Sequence, residues 1–212
     1  MVEIIPAILT DSPDKFKELV RKLEPYTGKI HIDIADGEFV PNRTVKGYEE
    51  LSYIEAGVKF DVHLMVVKPQ NQLQNWLHTY ADRFIIHAES DANLNEIIEN
   101  LKKHNRKVGL AVNPKTSLDK IDKFITGVDF IQFMTVYPGF QGGEFVNEVV
   151  DKISAFHQKY PDIIIMCDGG INPETAPSLI KAGASELVSG SYIVKSPNIG
   201  QAVERLRKAA EN

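Results

Sequence analysis

Cysteine is nearly absent from this sequence, which has a single one, Cys167, among its 212 residues. One cysteine cannot form a disulfide within the chain, so a disulfide-stapled scaffold is excluded and a reducing compartment is expected. No signal peptide is recognisable, and no apolar run is long enough to span a bilayer. These absences predict a cytoplasmic protein without a membrane partner.

The sequence also contains fewer basic than acidic residues. The 24 Lys and Arg residues are outnumbered by 29 Asp and Glu, which gives a formal net charge of -5, and no basic run is present. Nucleic acids and anionic membranes attract basic surfaces, so neither is expected as a partner. The sequence also lacks low-complexity linkers and breaks in composition. Residues 1–212 are therefore predicted to form one globular domain.

Apolar strand-like runs recur along the chain, and helix-like segments separate most of them. The runs are VEIIPAIL, KIHIDIA, VKFDVHLMV, RFIIHAE, KVGLAV, VDFIQFMTV, DIIIMCD and SELVSGS. Eight strands alternating with helices indicate the α/β class and favour a closed (β/α)₈ TIM barrel. Pattern alone leaves an open doubly wound sheet as the alternative.

Polar side chains interrupt several of these runs. In KIHIDIA the three isoleucines would lie on one face of a strand, with His31 and Asp33 on the other. His63 interrupts the third run, and Asp168 ends the seventh. A barrel collects such groups at the carboxyl ends of its strands, where its chemistry takes place. Because buried unpaired charge is costly, a divalent cation would explain why the four residues lie together.

Each of these residues also has a simpler interpretation on its own. A single strand histidine such as His63 is usually a hydrogen-bonded core residue, and an Asp before Gly-Gly, such as Asp168, is usually a turn residue. His87 and Glu89 are interpreted as a supporting pair without direct chemistry. The metal hypothesis therefore depends on the four residues occurring together and at the same end of the barrel.

Glycine-rich stretches follow the last three predicted strands, at VYPGFQGGEF, CDGGIN and LVSGSYIV. Barrels often bind phosphate at these loops through backbone N–H groups and a helix N-terminus. Glycine pairs alone usually mark turns. Their placement after three consecutive strands makes a phosphate site the more specific prediction.

The motifs HIDIADGEFVPN, DVHLMV, HAES, MTVYPGFQGGEF, DGGIN and AGASELVSGS resemble, in order and spacing, those of the ribulose-phosphate 3-epimerase family. The resemblance runs from IPAILT to about residue 194. It implies a (β/α)₈ barrel and an isomerase of the pentose phosphate pathway. Such an enzyme inverts C3 of a ketose phosphate, most simply D-ribulose 5-phosphate to D-xylulose 5-phosphate, through a metal-stabilised enediolate.

The resemblance also implies roles for individual residues. His31, Asp33, His63 and Asp168 match metal ligands, and Asp33 and Asp168 match the two acid/base groups. The positions that match substrate or phosphate contacts are His63, Gly139, Phe140, Gln141, Gly142, Gly169, Gly170, Gly190 and Ser191. A His/Asp ligand set suits Zn, Fe(II), Mn or Co, and the sequence does not choose among them. A small phosphorylated sugar is the implied partner.

Three positions depart from the family pattern. Ala7 replaces a serine, Ala35 replaces a methionine, and Gln141 adds a side chain to a glycine-rich loop. These departures leave open a non-catalytic or repurposed paralogue that binds a phosphorylated ligand, or an epimerase acting on a hexulose 6-phosphate. A barrel decarboxylase or Schiff-base aldolase is disfavoured because no lysine stands at a matching strand end. The sequence does not define an oligomeric state, and a homo-oligomer stays open.

Overall fold

The computed structural model describes residues 2–138 and 143–211. Within these ranges, eight parallel strands pair in chain order and β8 pairs back onto β1, which closes a barrel. The strands are β1 (Glu3–Ile8), β2 (Lys29–Ala35), β3 (Lys59–Met65), β4 (Ala81–His87), β5 (Lys107–Val112), β6 (Phe130–Met134), β7 (Ile164–Asp168) and β8 (Glu186–Ser189). The predicted TIM barrel is confirmed, and the open doubly wound sheet is excluded.

Helices follow the strands on the outside of the barrel. They are α1 (Pro13–Leu23), α2 (Tyr48–Leu51), α3 (Leu73–Leu77), α4 (Leu94–Lys103), α5 (Asp119–Asp122), α6 (Glu148–Lys159), α7 (Ala176–Lys181), α8 (Ser191–Val194) and α9 (Ile199–Glu211). The segment GEFVN, residues 143–147, precedes α6 and is not helical. The Val146 N–H instead donates to the carbonyl of Thr135 at 2.8 Å, which ties this segment to the end of β6. In the described ranges, no helix has the length and apolar character needed to cross a bilayer.

Helix α1 shows why these segments become helical. Ser12 caps its N-terminus by accepting a hydrogen bond from the Lys15 N–H at 3.3 Å, and Pro13 occupies the first turn. The apolar positions recur at helical spacing, and the buried stripe consists of Phe16, Leu19, Val20 and Leu23. This stripe packs into the apolar layer between the helices and the barrel.

The two faces of β2 divide as the alternation predicts. Ile30, Ile32 and Ile34 belong to the apolar layer beneath the helices. His31 and Asp33 lie outside that layer and face the barrel interior, where they meet side chains from β3 and β7. The strand therefore uses one face for packing and the other for polar chemistry.

The barrel interior contains an ionic cluster near its amino-terminal end. Arg83 on β4 donates to both carboxylate oxygens of Asp61 at 2.7 and 2.5 Å and to Glu186 at 2.9 Å. Its guanidinium lies 4.6 Å from the ring centroid of Phe130. A separate interior cluster is apolar and consists of Ile5, Ala7, Ile85, Ala111, Phe130, Met166 and Val188. Because the interior is filled in this way, the open space lies at the carboxyl ends of the strands.

Candidate metal centre and active site

Strands β2, β3 and β7 bring His31, Asp33, His63 and Asp168 to one point in the barrel. Asp33 and His63 are register partners on neighbouring strands, and Asp168 is the last residue of β7. Both histidines are fully buried, and each aspartate is only 8% exposed. One candidate ligand atom from each residue lies within 4.8 Å of the others. The structure thus assembles the four residues that the sequence singled out.

Four of the separations between candidate ligand atoms are close to those in the coordination sphere of one small ion. His63 Nδ1 lies 2.9 Å from Asp33 Oδ1 and 3.4 Å from Asp168 Oδ2. His31 Nε2 lies 3.4 and 3.7 Å from the same two oxygens. Bonds of about 2.0–2.1 Å to a tetrahedral zinc separate neighbouring ligand atoms by roughly 3.3 Å. The four observed separations lie on both sides of that value.

His31 provides an independent test of this fit. Both of its ring nitrogens are buried, and neither has a hydrogen-bond partner among the described residues. An unpaired buried polar atom costs about 1–3 kcal/mol, so an orphaned ring beside two carboxylates needs an explanation. A divalent cation would accept the Nε2 lone pair and balance the carboxylates. The mixed nitrogen and oxygen donors fit such an ion without identifying it.

The two carboxyl groups differ in their affinity for protons. Burial raises the pKa of each. For Asp33, the hydrogen bond with His63 and the charge of His31 and His63 outweigh burial and hold its pKa well below the usual range. For Asp168, burial and the nearby charge of Asp33 raise the pKa to about 6. Their surroundings therefore give different pKa values to two chemically identical carboxyl groups.

Gln132 on β6 is a polar neighbour of this centre that the sequence analysis did not single out. Its Nε2 donates to Asp168 Oδ2 at 3.1 Å and lies 3.3 Å from His63 Nε2. The residue is fully buried. An amide in the otherwise apolar strand FIQFM is the signal that could have identified it.

The predicted supporting pair lies directly behind His63. His87 Nε2 is 2.9 Å from His63 Nε2, and His87 Nδ1 is 3.1 Å from Glu89 Oε2. Burial lowers the pKa of His87 to about 4, against the opposing effect of Glu89. The pair is therefore one contact removed from the candidate ligands.

A cavity at the mouth of the barrel is lined by both aspartates. It encloses about 510 Å³, including the part open to solvent. Met65 and Met134 line it, as does Ala7. The candidate centre is therefore accessible to a small molecule that enters at the carboxyl ends of the strands.

The predicted phosphate-binding residues line the same cavity. They are Gly169, Gly170, Gly190 and Ser191. Gly169 has a φ of +112°, and a Cβ there would lie 2.3 Å from a methyl group of Val136. Only glycine fits this turn without strain. The four loop residues Gly139, Phe140, Gln141 and Gly142 lie outside the described residues.

Comparison with known proteins adds a finding independent of this geometry. The profile of the Ribulose-phosphate 3 epimerase family matches residues 3–194. This chain belongs to that family. It is 33% identical to the ribulose-phosphate 3-epimerase of Bacillus subtilis, over 98% of this chain and 99% of the relative. It is 32% identical to the Synechocystis protein of the same name, over 98% of this chain and 94% of the relative.

Solved structures with the same architecture are more distant in sequence. A 3-hexulose-6-phosphate synthase superposes with a TM-score of 0.74 at 16% identity, covering 98% of this chain and 99% of that one. An orotidine 5'-monophosphate decarboxylase from Sulfolobus solfataricus superposes with a TM-score of 0.69 at 15% identity, covering 100% of this chain and 98% of that one. At these identities the likeness shows the barrel fold alone.

The departures from the epimerase family pattern fall in different surroundings. Ala7 lines the cavity, so the serine hydroxyl would have pointed toward a bound substrate. Ala35 packs with Val40 and Met65 in a small apolar cluster beside it. Gln141 lies outside the described residues. Neither of the two described departures removes a candidate metal ligand or acid/base group.

Proposed function

We propose that this protein interconverts D-ribulose 5-phosphate and D-xylulose 5-phosphate by inverting C3, with a divalent metal held by the four residues His31, Asp33, His63 and Asp168. The observation that supports this most directly is the buried cluster of those residues at the barrel mouth. The relatives that carry the ribulose-phosphate 3-epimerase name along nearly their full length support the choice of substrate.

Inversion at C3 needs two proton carriers, one for each face of the carbon. One ionised carboxylate removes the proton from C3, and the electrons of the C–H bond move toward the adjacent C2 carbonyl oxygen. The other carboxyl group, initially protonated, gives its proton to the opposite face of C3 as the carbonyl re-forms. Asp33 on β2 and Asp168 on β7 approach the cavity from separate strands, which suits a substrate placed between them. The reverse reaction exchanges their roles.

A carboxylate with an ordinary pKa is a weak base for a carbon acid, so negative charge on the substrate oxygens must be stabilised. A divalent cation at the cluster would supply that stabilisation and would let two aspartates lie close together. His31 and His63 contribute uncharged nitrogen donors, which keeps the cluster from being purely anionic. Met65 and Met134 add an apolar lining that limits water around the reacting carbon.

The phosphate of the substrate is proposed to bind at the loops after β7 and β8. Gly169, Gly170, Gly190 and Ser191 line the cavity beside the aspartates. Backbone approach without Cβ atoms is what a phosphate oxygen requires. Gly139, Phe140, Gln141 and Gly142 are proposed to contact the substrate, and His63 to contact it from the metal side.

The two alternatives are less well supported. A non-catalytic paralogue would not need to retain two aspartates and two histidines in one buried cluster. A hexulose 6-phosphate substrate would rest on Ala7 and Ala35 alone, whereas the compared relatives are named for ribulose phosphate. The epimerase assignment therefore accounts for both the buried cluster and the names of the relatives.

The experiment that tests the proposal is incubation of the metal-loaded protein with D-ribulose 5-phosphate in deuterated water. We expect D-xylulose 5-phosphate to form with deuterium at C3, as read by proton NMR. A ketohexose 6-phosphate serves as the comparison substrate and should react at least about tenfold more slowly. Absence of both product and deuterium incorporation would contradict the proposal.

The proposal extends to the cellular context and assembly of the protein. A cytoplasmic location agrees with the single buried thiol and with the rice relative named as a cytoplasmic isoform. We propose that residues 1–212 fold as one domain, which calorimetry would show as one cooperative transition. A homo-oligomer is testable by light scattering, and the absence of nucleic-acid binding by a filter assay.

A further inference from the structure

We propose that His87 and Glu89 are positioning residues that keep the proton of His63 on Nε2 and so leave Nδ1 as the metal-binding atom. This inference rests on the metal centre of the proposed function and concerns residues outside the candidate ligand set. The geometry that supports it is a continuous line of hydrogen-bonding atoms from the centre of the barrel to the loop after β5.

The line begins at His63 and ends at backbone and hydroxyl donors. His63 Nε2 faces His87 Nε2 at 2.9 Å, and His87 Nδ1 faces Glu89 Oε2 at 3.1 Å. The other carboxylate oxygen, Glu89 Oε1, accepts from the Asn113 N–H at 3.1 Å and from the Thr116 hydroxyl.

The direction is set by Glu89, because an ionised carboxylate can only accept hydrogen bonds. His87 must therefore carry a proton on Nδ1. A neutral His87 then has its lone pair on Nε2 and accepts from His63 Nε2. His63 consequently donates from Nε2, and its own lone pair is on Nδ1. Through His87, the Glu89 carboxylate thus determines which ring nitrogen of His63 carries the proton.

The Nδ1 atom of His63 is the one that points into the candidate metal centre. It lies 2.9 Å from Asp33 Oδ1 and 3.4 Å from Asp168 Oδ2. A lone pair facing two carboxylates is stable only when a cation lies among them. Metal binding would release any proton from Nδ1, and the contact with His87 retains the one on Nε2.

Burial protects the line from competing water. His63 and His87 are both fully buried, and the ring of Phe39 lies over His87 with centroids 4.7 Å apart. Lys152 donates to the carbonyls of Asn113 and Thr116, which holds the loop that supplies donors to Glu89. The rings are therefore held in one arrangement by groups on several elements.

Gln132 is the other polar group near His63 Nε2, and its amide nitrogen donates to Asp168. Its Nε2 lies 3.3 Å from His63 Nε2 but donates to Asp168 Oδ2 at the shorter distance of 3.1 Å. An amide nitrogen cannot accept a hydrogen bond, so His87 Nε2 is the acceptor for a proton on His63 Nε2.

Two variants remove different links of the line. Glu89→Gln is isosteric but replaces one acceptor by a donor, so either His87 or the Asn113 N–H loses its acceptor. His87→Phe keeps an aromatic ring packed against Phe39 and removes the acceptor for His63. We expect each to weaken Zn²⁺ binding roughly 10–100-fold in competition with a chromophoric chelator. His87→Gln, whose amide oxygen can accept from His63, should recover part of that loss.

The matched control is Glu96→Gln, which makes the same change on the exposed face of α4, where Glu96 pairs with Asn93. Its Zn²⁺ affinity should stay within about twofold of the unaltered protein. Melting temperatures show whether each variant folds. Glu89→Gln, which is isosteric, keeps the test available if His87→Phe does not fold.

Histidine ¹⁵N NMR on the Zn²⁺-loaded protein reads the protons directly. We expect His87 to carry its proton on Nδ1 and His63 on Nε2. A proton on His87 Nε2, or Zn²⁺ affinities of both variants equal to that of Glu96→Gln, would overturn the positioning role. Failure of the unaltered protein to bind Zn²⁺, Mn²⁺ or Co²⁺ would instead overturn the proposed metal centre on which the role depends. The two failures are therefore distinguishable.

Discussion

Asp33 and Asp168, on strands β2 and β7, direct one oxygen each at the same nitrogen atom, His63 Nδ1, at distances of 2.9 and 3.4 Å. Closure of the barrel is what brings these strands together, because the residues are far apart in the chain. Two carboxyl groups of different proton affinity thus meet beside one histidine at the floor of an open cavity.

Replacing either aspartate by asparagine should remove catalysis. Asp33→Asn and Asp168→Asn each keep the side-chain volume but lose a group that can take up or give a proton at C3. We expect turnover of D-ribulose 5-phosphate to fall by roughly 10²–10⁴-fold in each, which a coupled assay would measure.

The control for this pair is Asp119→Asn, which makes the same substitution at an exposed position at the start of α5. It should retain full turnover, and circular dichroism should show all three variants folded. Near-full turnover in either Asp33→Asn or Asp168→Asn would refute the proton-carrier assignment.

Removing the imidazole of His63 should release metal. In His63→Ala the cluster keeps both aspartates and His31 but loses the nitrogen that touches both carboxylates. Three ligands hold a cation less tightly than four, so we expect metal content after dialysis to fall by at least half, as measured by atomic emission. His104→Ala, on an exposed histidine that ends α4, is the control. Unchanged metal content would exclude His63 as a ligand.

The fold and the four central residues could be predicted from the sequence because local pattern carries the needed information. Alternation in KIHIDIA assigns His31 and Asp33 to one face of β2, and the order of the strands assigns that face to the barrel interior. The glycine pair after Asp168 marks a loop at the same end. Each of these inferences uses residues that are neighbours in the chain.

The remaining features depend on partners from distant strands. Gln132 acquires its role only because β6 places it beside Asp168 of β7. Arg83 and Asp61 are register partners on β4 and β3, but the third member of their cluster, Glu186, comes from β8. A single sequence shows that these polar residues interrupt apolar strands, and it does not show which of them meet.

The Arg83 cluster yields a prediction about stability. Arg83→Leu would leave Asp61 and Glu186 buried with no guanidinium, and the loss of one partner from a buried charge group costs about 3–5 kcal/mol. Urea unfolding should show this decrease. Arg207→Leu removes an exposed pair with Glu204 on α9 and should cost no more than about 1 kcal/mol. Equal losses in the two variants would contradict the role of burial.

The loss in Arg83→Leu should also depend on pH. Burial already raises the pKa of Asp61 in the native protein, against the opposing effect of Arg83. Without Arg83 the native pKa rises further above the unfolded value of about 3.9, so the folded state binds more protons. Stability of the variant should therefore be higher at about pH 5 than at about pH 8. A variant that is more stable at the higher pH would contradict this account.

Cys167 should be unreactive in the native protein. Burial raises the pKa of its thiol, with a further contribution from the charge of Asp168, and the side chain lies in the apolar layer beneath the helices. An aromatic disulfide reagent at about pH 8 should therefore label no thiol in the native state and one thiol after denaturation. Rapid stoichiometric labelling of the native protein would show that β7 is exposed.

Gly169 is the glycine whose replacement should be most informative, because both its backbone and its surroundings exclude a side chain. Its φ is +112°, and an added Cβ would lie 2.3 Å from Val136 Cγ2. We expect Gly169→Ala to lower the free energy of unfolding by about 1–3 kcal/mol. Adding Val136→Ala should relieve the collision and restore part of the loss, whereas the backbone strain remains.

The control is Gly28→Ala, where no described atom outside its chain neighbours lies within 4 Å of an added Cβ and φ is not in the left-handed region. This change should be neutral within about 1 kcal/mol, because the space is open and alanine restricts the unfolded chain. Equal stability of Gly169→Ala and Gly28→Ala would show that the turn after β7 tolerates a side chain. The cavity wall beside Asp168 would then be adaptable, and close approach of a phosphate to that backbone would lose its structural support.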